Sequence, residues 1–417
     1  MYFLTYLCKE RPGMTLEETV AEILGIQNHR HVNFEDNHQI AGLLDDLKEF
    51  IIDTSDEKFL VLVIEESELQ PDVDFVDEKY LAHLAGFYNA RYLFEMVKFE
   101  GLKLPVGEFQ KYIKPVHYNS KNYAATIVQL PRRFSLTSSL SNNHENHHKI
   151  LKRKNVELNL NQVFSVAEKL STLHESCLPE KRKKEAKEIV EENYQLISDV
   201  TSRRLQSKIN DYLEITLEKN GKFFKNTDVT FEKFSALFKT FKDFQQIYPE
   251  SNLPIVLCHG NLGHENLFFN EKNEIEFIDH WDSLHFGSAA EDLSYLIISS
   301  LAPNVRRNNY MKIFRRYYYT LVDTRTIKFK LHDIKEFYLK FLKYAVFYSF
   351  PTLAAILGSS DYSDEDKFKV VNRWDAALDD AYDVEMDNYV SDNEDLLTVQ
   401  NSENRSVAEA VLKGKRH

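Results

Sequence analysis

His259-Gly260-Asn261-Leu262-Gly263-His264-Glu265-Asn266, followed by Phe277-Ile278-Asp279, is the stretch on which the reading of this chain turns. Asn266 stands five residues and Asp279 eighteen residues after Asn261. An amide oxygen and a carboxylate are hard ligands of the kind that hold Mg²⁺ and a nucleotide's phosphates during phosphoryl transfer. The same chemistry uses a carboxylate upstream of them to orient the acceptor hydroxyl. The upstream position here is Asn261, whose amide cannot take up a proton. Taken singly, each residue has a plainer explanation, since Asn favours turns through side-chain bonds to the backbone and Asp279 closes a strand. Three together at this spacing are not explained that way.

The surrounding pattern places them at one site. Val256-Leu257-Cys258 and Leu267-Phe268-Phe269 are short apolar runs and Ile275-Glu276-Phe277-Ile278 alternates, so three short strands are predicted around the polar loop. Loop residues held by strand ends suit catalysis. Gly260 and Gly263 permit the backbone to turn sharply between them. Asp279 leads through His280-Trp281-Asp282 to His285-Phe286-Gly287-Ser288-Ala289-Ala290-Glu291-Asp292-Leu293, which runs into an apolar helix through Leu301.

These motifs together resemble the CHK kinase-like proteins, the group of choline kinases, ecdysteroid kinase-like proteins and aminoglycoside phosphotransferases. Leu170-Ser171-Thr172-Leu173-His174 is similar to the family's helix that ends in Leu-His ahead of the catalytic half. The resemblance implies an α+β, two-lobed protein-kinase-like fold, with an antiparallel sheet and one main helix in the small lobe and a large, mostly helical lobe. It implies that Asn266 and Asp279 bind Mg²⁺ and nucleotide, that Asp292 braces the catalytic loop and that His259 braces backbone within it. It also marks a departure, because the family pattern has Asp where Asn261 stands.

Composition bounds this reading. A chain of 417 residues exceeds one typical domain of roughly 100–200 residues and fits two lobes. Its net charge of −13 speaks against nucleic acid or an anionic membrane as partner and leaves a small neutral or cationic ligand. Cys8, Cys177 and Cys258 are scattered and odd in number, as expected of reduced thiols in a cytoplasmic protein. No apolar run approaches the ~20 residues of a membrane span.

Periodicity divides the chain into a small lobe over 1–130, a helical large lobe over 131–390 that carries the catalytic segment 256–293, and a disordered tail over 391–417. In the small lobe, Thr15-Leu16-Glu17-Glu18 reads as a capping box. Strands are predicted at Glu49 to Asp53, Lys58 to Ile64, Phe109 to Val116 and Tyr123 to Leu130, with a helix at Tyr80 to Lys98. Leu130-Pro131 begins the hinge, and Ser135 to Lys154 is a polar surface segment. Helices follow at Leu160 to His174, Glu180 to Leu217, Tyr310 to Val322 and Ile334 to Phe350, the last ended by Pro351. An acidic helix lies within Asp375 to Asp395.

The small lobe departs furthest from a working nucleotide site. Phosphates are covered by backbone that lacks side chains, yet Gly42 is the only glycine between Gly25 and Lys58. The phosphate-binding lysine belongs on the strand Phe59 to Ile64, and its place is taken by Val63. The helix centre, Leu84-Ala85-Gly86-Phe87-Tyr88, lacks the glutamate that would pair with that lysine, and Glu78 and Glu95 lie near the ends. These losses agree with one another. The first reading is therefore a catalytically impaired protein, a pseudokinase or ligand-binding member with a small-molecule ligand or a protein partner.

The alternative is an active phosphotransferase acting on a small-molecule hydroxyl, with ATP and Mg²⁺ as cofactors. Asn261 would then orient the acceptor through its amide and Lys58 or Lys103 would supply the missing charge. A metal-dependent hydrolase is the third reading. His144, His147 and His148, or His259, His264, His280 and His285, invite it but lack a four-ligand spacing. The aromatic runs at Tyr317 to Tyr319 and Phe337 to Tyr348 have helical spacing, which makes core packing the first assumption for them.

Overall fold

The computed structural model describes strands and scattered residues between 15 and 129, then 156–177, 184–241, 248, 251–324, 327–360 and 362–386. The expected hinge, the His144 to His148 patch, Gly42, Glu78, Glu95, Lys103 and the tail over 391–417 lie outside those residues.

The small lobe is a five-stranded antiparallel sheet. Its strands are β1 (Arg30–Val32), β2 (Leu47–Asp53), β3 (Lys58–Glu66), β4 (Glu108–Tyr118) and β5 (Lys121–Gln129), in the order β1-β2-β3-β5-β4. Val61, Val63 and Ile127 are fully buried and mark the inward face. The capping box is present: the Thr15 N–H donates to Glu18 Oε2 at 2.8 Å and the Glu18 N–H donates to Thr15 Oγ1 at 3.2 Å. The described residues from 85 to 97 are helical. This small-lobe helix meets the large lobe through the shared core at Ala90, Leu93 and Met96 and through two closer approaches. A Cβ on Gly86 would stand 2.7 Å from the Asp282 carbonyl oxygen, so only glycine allows the approach. One turn on, buried Asn89 donates to the Leu284 and Val190 carbonyls and accepts from Asn193.

The large lobe is built from α1 (Leu160–Cys177), α2 (Lys184–Asn220), α3 (Thr227–Lys239), α4 (Glu291–Ser300), α5 (Pro303–Thr324), α6 (Leu331–Gly358) and α7 (Asp364–Glu385). Two short antiparallel pairs hold the polar loop, namely β6 (Ile255–Cys258) with β9 (His285–Ser288) and, between them in sequence, β7 (Leu267–Phe269) with β8 (Ile275–Ile278). The aromatic residues of α6 are core, as the spacing suggested. Phe347 packs edge-on to Phe234 of α3 at 4.8 Å and Tyr338 stacks on Tyr310 of α5 at 5.2 Å. Buried Arg306 of α5 pairs with Asp380 of α7 at 2.7 Å, and Arg307 holds the same carboxylate.

Three expectations are corrected. Pro351 does not end its helix but lies inside α6, which continues to Gly358. A proline removes one backbone donor, and other donors tie the turn before it: Ser349 Oγ bonds the Ala345 carbonyl at 2.6 Å and Trp374 Nε1 bonds the Val346 carbonyl at 3.0 Å. The acidic helix begins at Asp364 rather than near Asp375, because Ser363 caps it through a Ser363–Asp366 box. Finally, α6 is long and apolar enough to cross a membrane. It packs against α4 and α7, and its buried Phe341, Tyr344, Phe347, Phe350 and Leu353 make it a core helix of this lobe.

Candidate functional site

The strand pairs bring the predicted residues together. The loop after β6 carries His259, Gly260 and Asn261, a single 3-10 turn at His264–Asn266 leads into β7, and Asp279 follows β8. Leu267 pairs with Ile278, and the Asp279 N–H donates to the Asn266 carbonyl at 2.9 Å. Asn266 and Asp279 therefore stand side by side at one end of the β7–β8 pair.

His259 ties this end to the loop. Its Nδ1 accepts the Asn261 N–H at 3.1 Å, so the proton sits on Nε2, which donates to the Asp279 carbonyl at 2.7 Å. Burial pushes its pKa down to about 4, which keeps the ring neutral in that tautomer. Asp292, at the start of α4, accepts the His259 N–H at 2.7 Å and the Gly260 N–H at 3.0 Å. Burial and the adjacent Glu291 push its carboxyl up to about 7, while the two backbone donors pull the other way. Gly260 sits at φ +84°, and a Cβ there would stand 2.4 Å from the Ser283 carbonyl oxygen. Conformation and space both require glycine.

Asn266 and Asp279 fit a hard divalent cation. The Asn266 amide donates from Nδ2 to the Asn261 carbonyl at 2.8 Å, which fixes the side chain with its carbonyl oxygen as the atom a cation could use. Asp279 Oδ1 accepts the His280 N–H at 2.8 Å, and Oδ2 lies 3.2 Å from His280 Nδ1. His280 takes the left-handed conformation at φ 57° to bend the chain around that carboxylate. An amide oxygen beside a carboxylate is a partial oxygen shell of the sort Mg²⁺ completes with phosphate and water. Asn261 is half-buried at the loop, and its side chain makes no hydrogen bond among the described residues.

Behind the loop lies a polar layer that the sequence did not disclose. His285 donates from Nδ1 to the Ser283 carbonyl at 2.9 Å and from Nε2 to Glu291 at 2.9 Å, and its ring stacks on Tyr194 at 3.9 Å. Burial opposes its charge, but the Glu291 carboxylate outweighs that and raises its pKa. Tyr248 donates to the other Glu291 oxygen. Glu291 followed by Asp292 ahead of an apolar helix reads as a pair of charges complementing the helix dipole, which conceals that each carboxylate holds a different part of the site. Buried Asn89 was missed for a similar reason, since only its long-range partners reveal its role.

The histidines do not assemble a hydrolase centre among the described residues. Among the described residues, two groups bring ligating atoms within 4.8 Å of one another, His174/Cys258/Asp292 and Cys258/His285/Glu291. In both, the carboxylates are already committed, Asp292 to backbone N–H groups and Glu291 to His285 and Tyr248. Val63 stands where the lysine was sought, fully buried on β3.

The sequence model of the ecdysteroid kinase-like family matches residues 106–328, more than half of the chain. The chain belongs to the ecdysteroid kinase-like family. That family is one of kinase-like small-molecule phosphotransferases, and the chain has the two-lobed α+β fold. Similar solved structures include a spectinomycin phosphotransferase in complex with ADP and spectinomycin, at 12% identity and a TM-score of 0.42, covering 90% of this chain and 99% of that one. An ethanolamine kinase from Plasmodium vivax matches at 13% identity and 0.40, covering 86% and 85%. A macrolide 2'-phosphotransferase from Brachybacterium faecium matches at 13% and 0.38, covering 82% and 98%. No curated protein matches the sequence.

Proposed function

We propose that this member of the ecdysteroid kinase-like family binds Mg²⁺ and ATP together with a hydroxyl-bearing small molecule, and that its transfer step is impaired. One observation carries this reading. The loop around position 261 keeps its backbone ties to His259, Asp292 and Asn266, and the residue presented there is an asparagine. Asn266 and Asp279 would hold Mg²⁺, which neutralises phosphate charge when bound. The Asn261 amide can accept a hydrogen bond from an acceptor hydroxyl and so orient it. It cannot take the proton, and a missing general base costs about 10²–10⁴ in rate.

The test is Mg²⁺-dependent transfer from ATP to choline-like, steroid-like and aminoglycoside-like alcohols, measured for the native chain and for Asn261→Asp. The native chain should turn over far below the roughly 1–100 s⁻¹ of working kinases, and Asn261→Asp should gain about 10²-fold or more. Native turnover within the kinase range on any of these alcohols overturns the impaired reading.

A further inference from the structure

Three successive carbonyls of one turn join the parts of the site. The turn at Trp281–Ser283, with Leu284 after it, begins two residues beyond Asp279. The Asp282 carbonyl lies against Gly86 of the small-lobe helix, and the Leu284 carbonyl accepts from Asn89 of the same helix at 2.9 Å. Between them, the Ser283 carbonyl lies against Gly260 of the catalytic loop and accepts from His285 Nδ1 at 2.9 Å. Whatever holds His285 therefore holds the Asp279 side of the site against the Asn261 side.

His285 is held by Glu291. A carbonyl only accepts, so the Ser283 bond fixes a proton on Nδ1. Nε2 then faces Glu291 Oε1 at 2.9 Å, and that contact is attractive only with a proton between the two atoms. The Tyr248 hydroxyl stands 3.5 Å from Nε2 and spends its proton on the other Glu291 oxygen. His285 and Glu291 thus share one proton, and its departure turns an attraction into a repulsion. The other titratable groups around His285 are Asp292 of α4, Tyr194 of α2, Cys258 on the paired strand β6 and His259 in the loop after it. Burial works against the charge on His285, but Glu291 outweighs it, aided by Asp292, and the pKa lies above the ordinary 6.5. The contact is therefore complete below pH 6.5 and is lost as pH rises through the higher folded value. A cavity of about 30 Å³ touches Gly260 and Glu291 together. It has room for a water, which lets this buried pair exchange its proton.

We propose that Glu291 is a positioning residue of the nucleotide–metal site: through the proton it shares with His285 it pins the 281–284 turn, and so sets Asp279 against the catalytic loop. The proposal rests on the nucleotide-binding reading given above. It gives the adjacent carboxylates of α4 complementary tasks, with Asp292 holding the loop and Glu291 holding the turn that faces it.

Calorimetric titration of the full chain with MgATP, for the native protein, Glu291→Gln and Glu291→Ala, tests it. The series runs up to about pH 9.5 from about pH 7.5, above the Asp292 value of about 7. Native affinity should fall about tenfold over that range, the weight of one charge-assisted hydrogen bond. In Glu291→Gln the amide NH₂ can donate to a neutral His285 Nε2 and the amide oxygen can accept from Tyr248, so no shared proton is needed. This variant should bind MgATP with a level profile. Glu291→Ala offers neither contact and should bind about tenfold or more weakly than the native chain at the lowest pH. If Glu291→Ala does not fold, the contrast between native and Glu291→Gln profiles decides. A level native profile, or the same alkaline fall in Glu291→Gln, overturns the proposal alone. So does a folded Glu291→Ala with native affinity and a lower unfolding midpoint, which marks a role in stability only. A native chain that binds no MgATP at any pH overturns the nucleotide reading and this proposal with it.

Discussion

Removing the Asp292 carboxylate should unfold the loop from behind. Asp292 is buried and accepts two backbone N–H groups, from His259 at 2.7 Å and from Gly260 at 3.0 Å. Asp292→Ala leaves both donors buried without an acceptor. Each such group costs about 1–3 kcal/mol, so the variant should lose about 2–6 kcal/mol. Against a total stability of about 5–15 kcal/mol that is a large fraction. Asp292→Asn keeps one carbonyl oxygen and sets an NH₂ against the other donor, so about half the loss is expected. Urea unfolding followed by far-UV circular dichroism measures both, with the loss read as a lower midpoint at unchanged slope. A cost below about 1 kcal/mol for Asp292→Ala, at unchanged slope, would refute the assignment of Asp292 as the brace of the loop.

Other outcomes follow from the same geometry. Gly260→Ala must accept a left-handed backbone and a Cβ close to the Ser283 carbonyl, so a loss of about 2–5 kcal/mol in the same unfolding assay is expected; a loss under about 1 kcal/mol would count against the close approach. Burial holds His259 down to about 4 and His174 down to about 3, below the ordinary 6.5. The unfolded chain therefore binds more protons than the folded one as pH falls below 6.5, so this stability is complete above that value and is lost as acid approaches the folded values. Each ring contributes up to about 1.4 kcal/mol per pH unit, and His259→Gln should make the decline between pH 6 and 4.5 shallower by about that amount; an unchanged slope would show that His259 titrates normally.

The catalytic segment was legible because its chemistry is local. His259, Asn261, Asn266, Asp279 and Asp292 could be placed from spacing and from resemblance, and β6, β7 and β8 from short apolar runs. Four of the five small-lobe strands were legible as apolar-rich runs, β3 most plainly, while β1 was not, being three residues long with a single strongly apolar member. β9 was not, because His285-Phe286-Gly287-Ser288 offers little β-branched character and forms only by pairing with β6. Pro351 misled because a proline weakens a helix locally, while the burial of α6 on both sides of it, which carries the helix past, is a property of the fold.

The most direct measurement is a thermal unfolding series of the native chain and of Asp279→Ala across MgATP concentrations, with an EDTA control. Binding to the folded state stabilises by mass action, about 2.7 kcal/mol at one hundred times the dissociation constant. A saturable rise in the unfolding midpoint of the native chain is predicted, lost with EDTA and lost in Asp279→Ala. No rise at millimolar MgATP, or a rise that persists in Asp279→Ala, would contradict a nucleotide–metal site at Asn266 and Asp279.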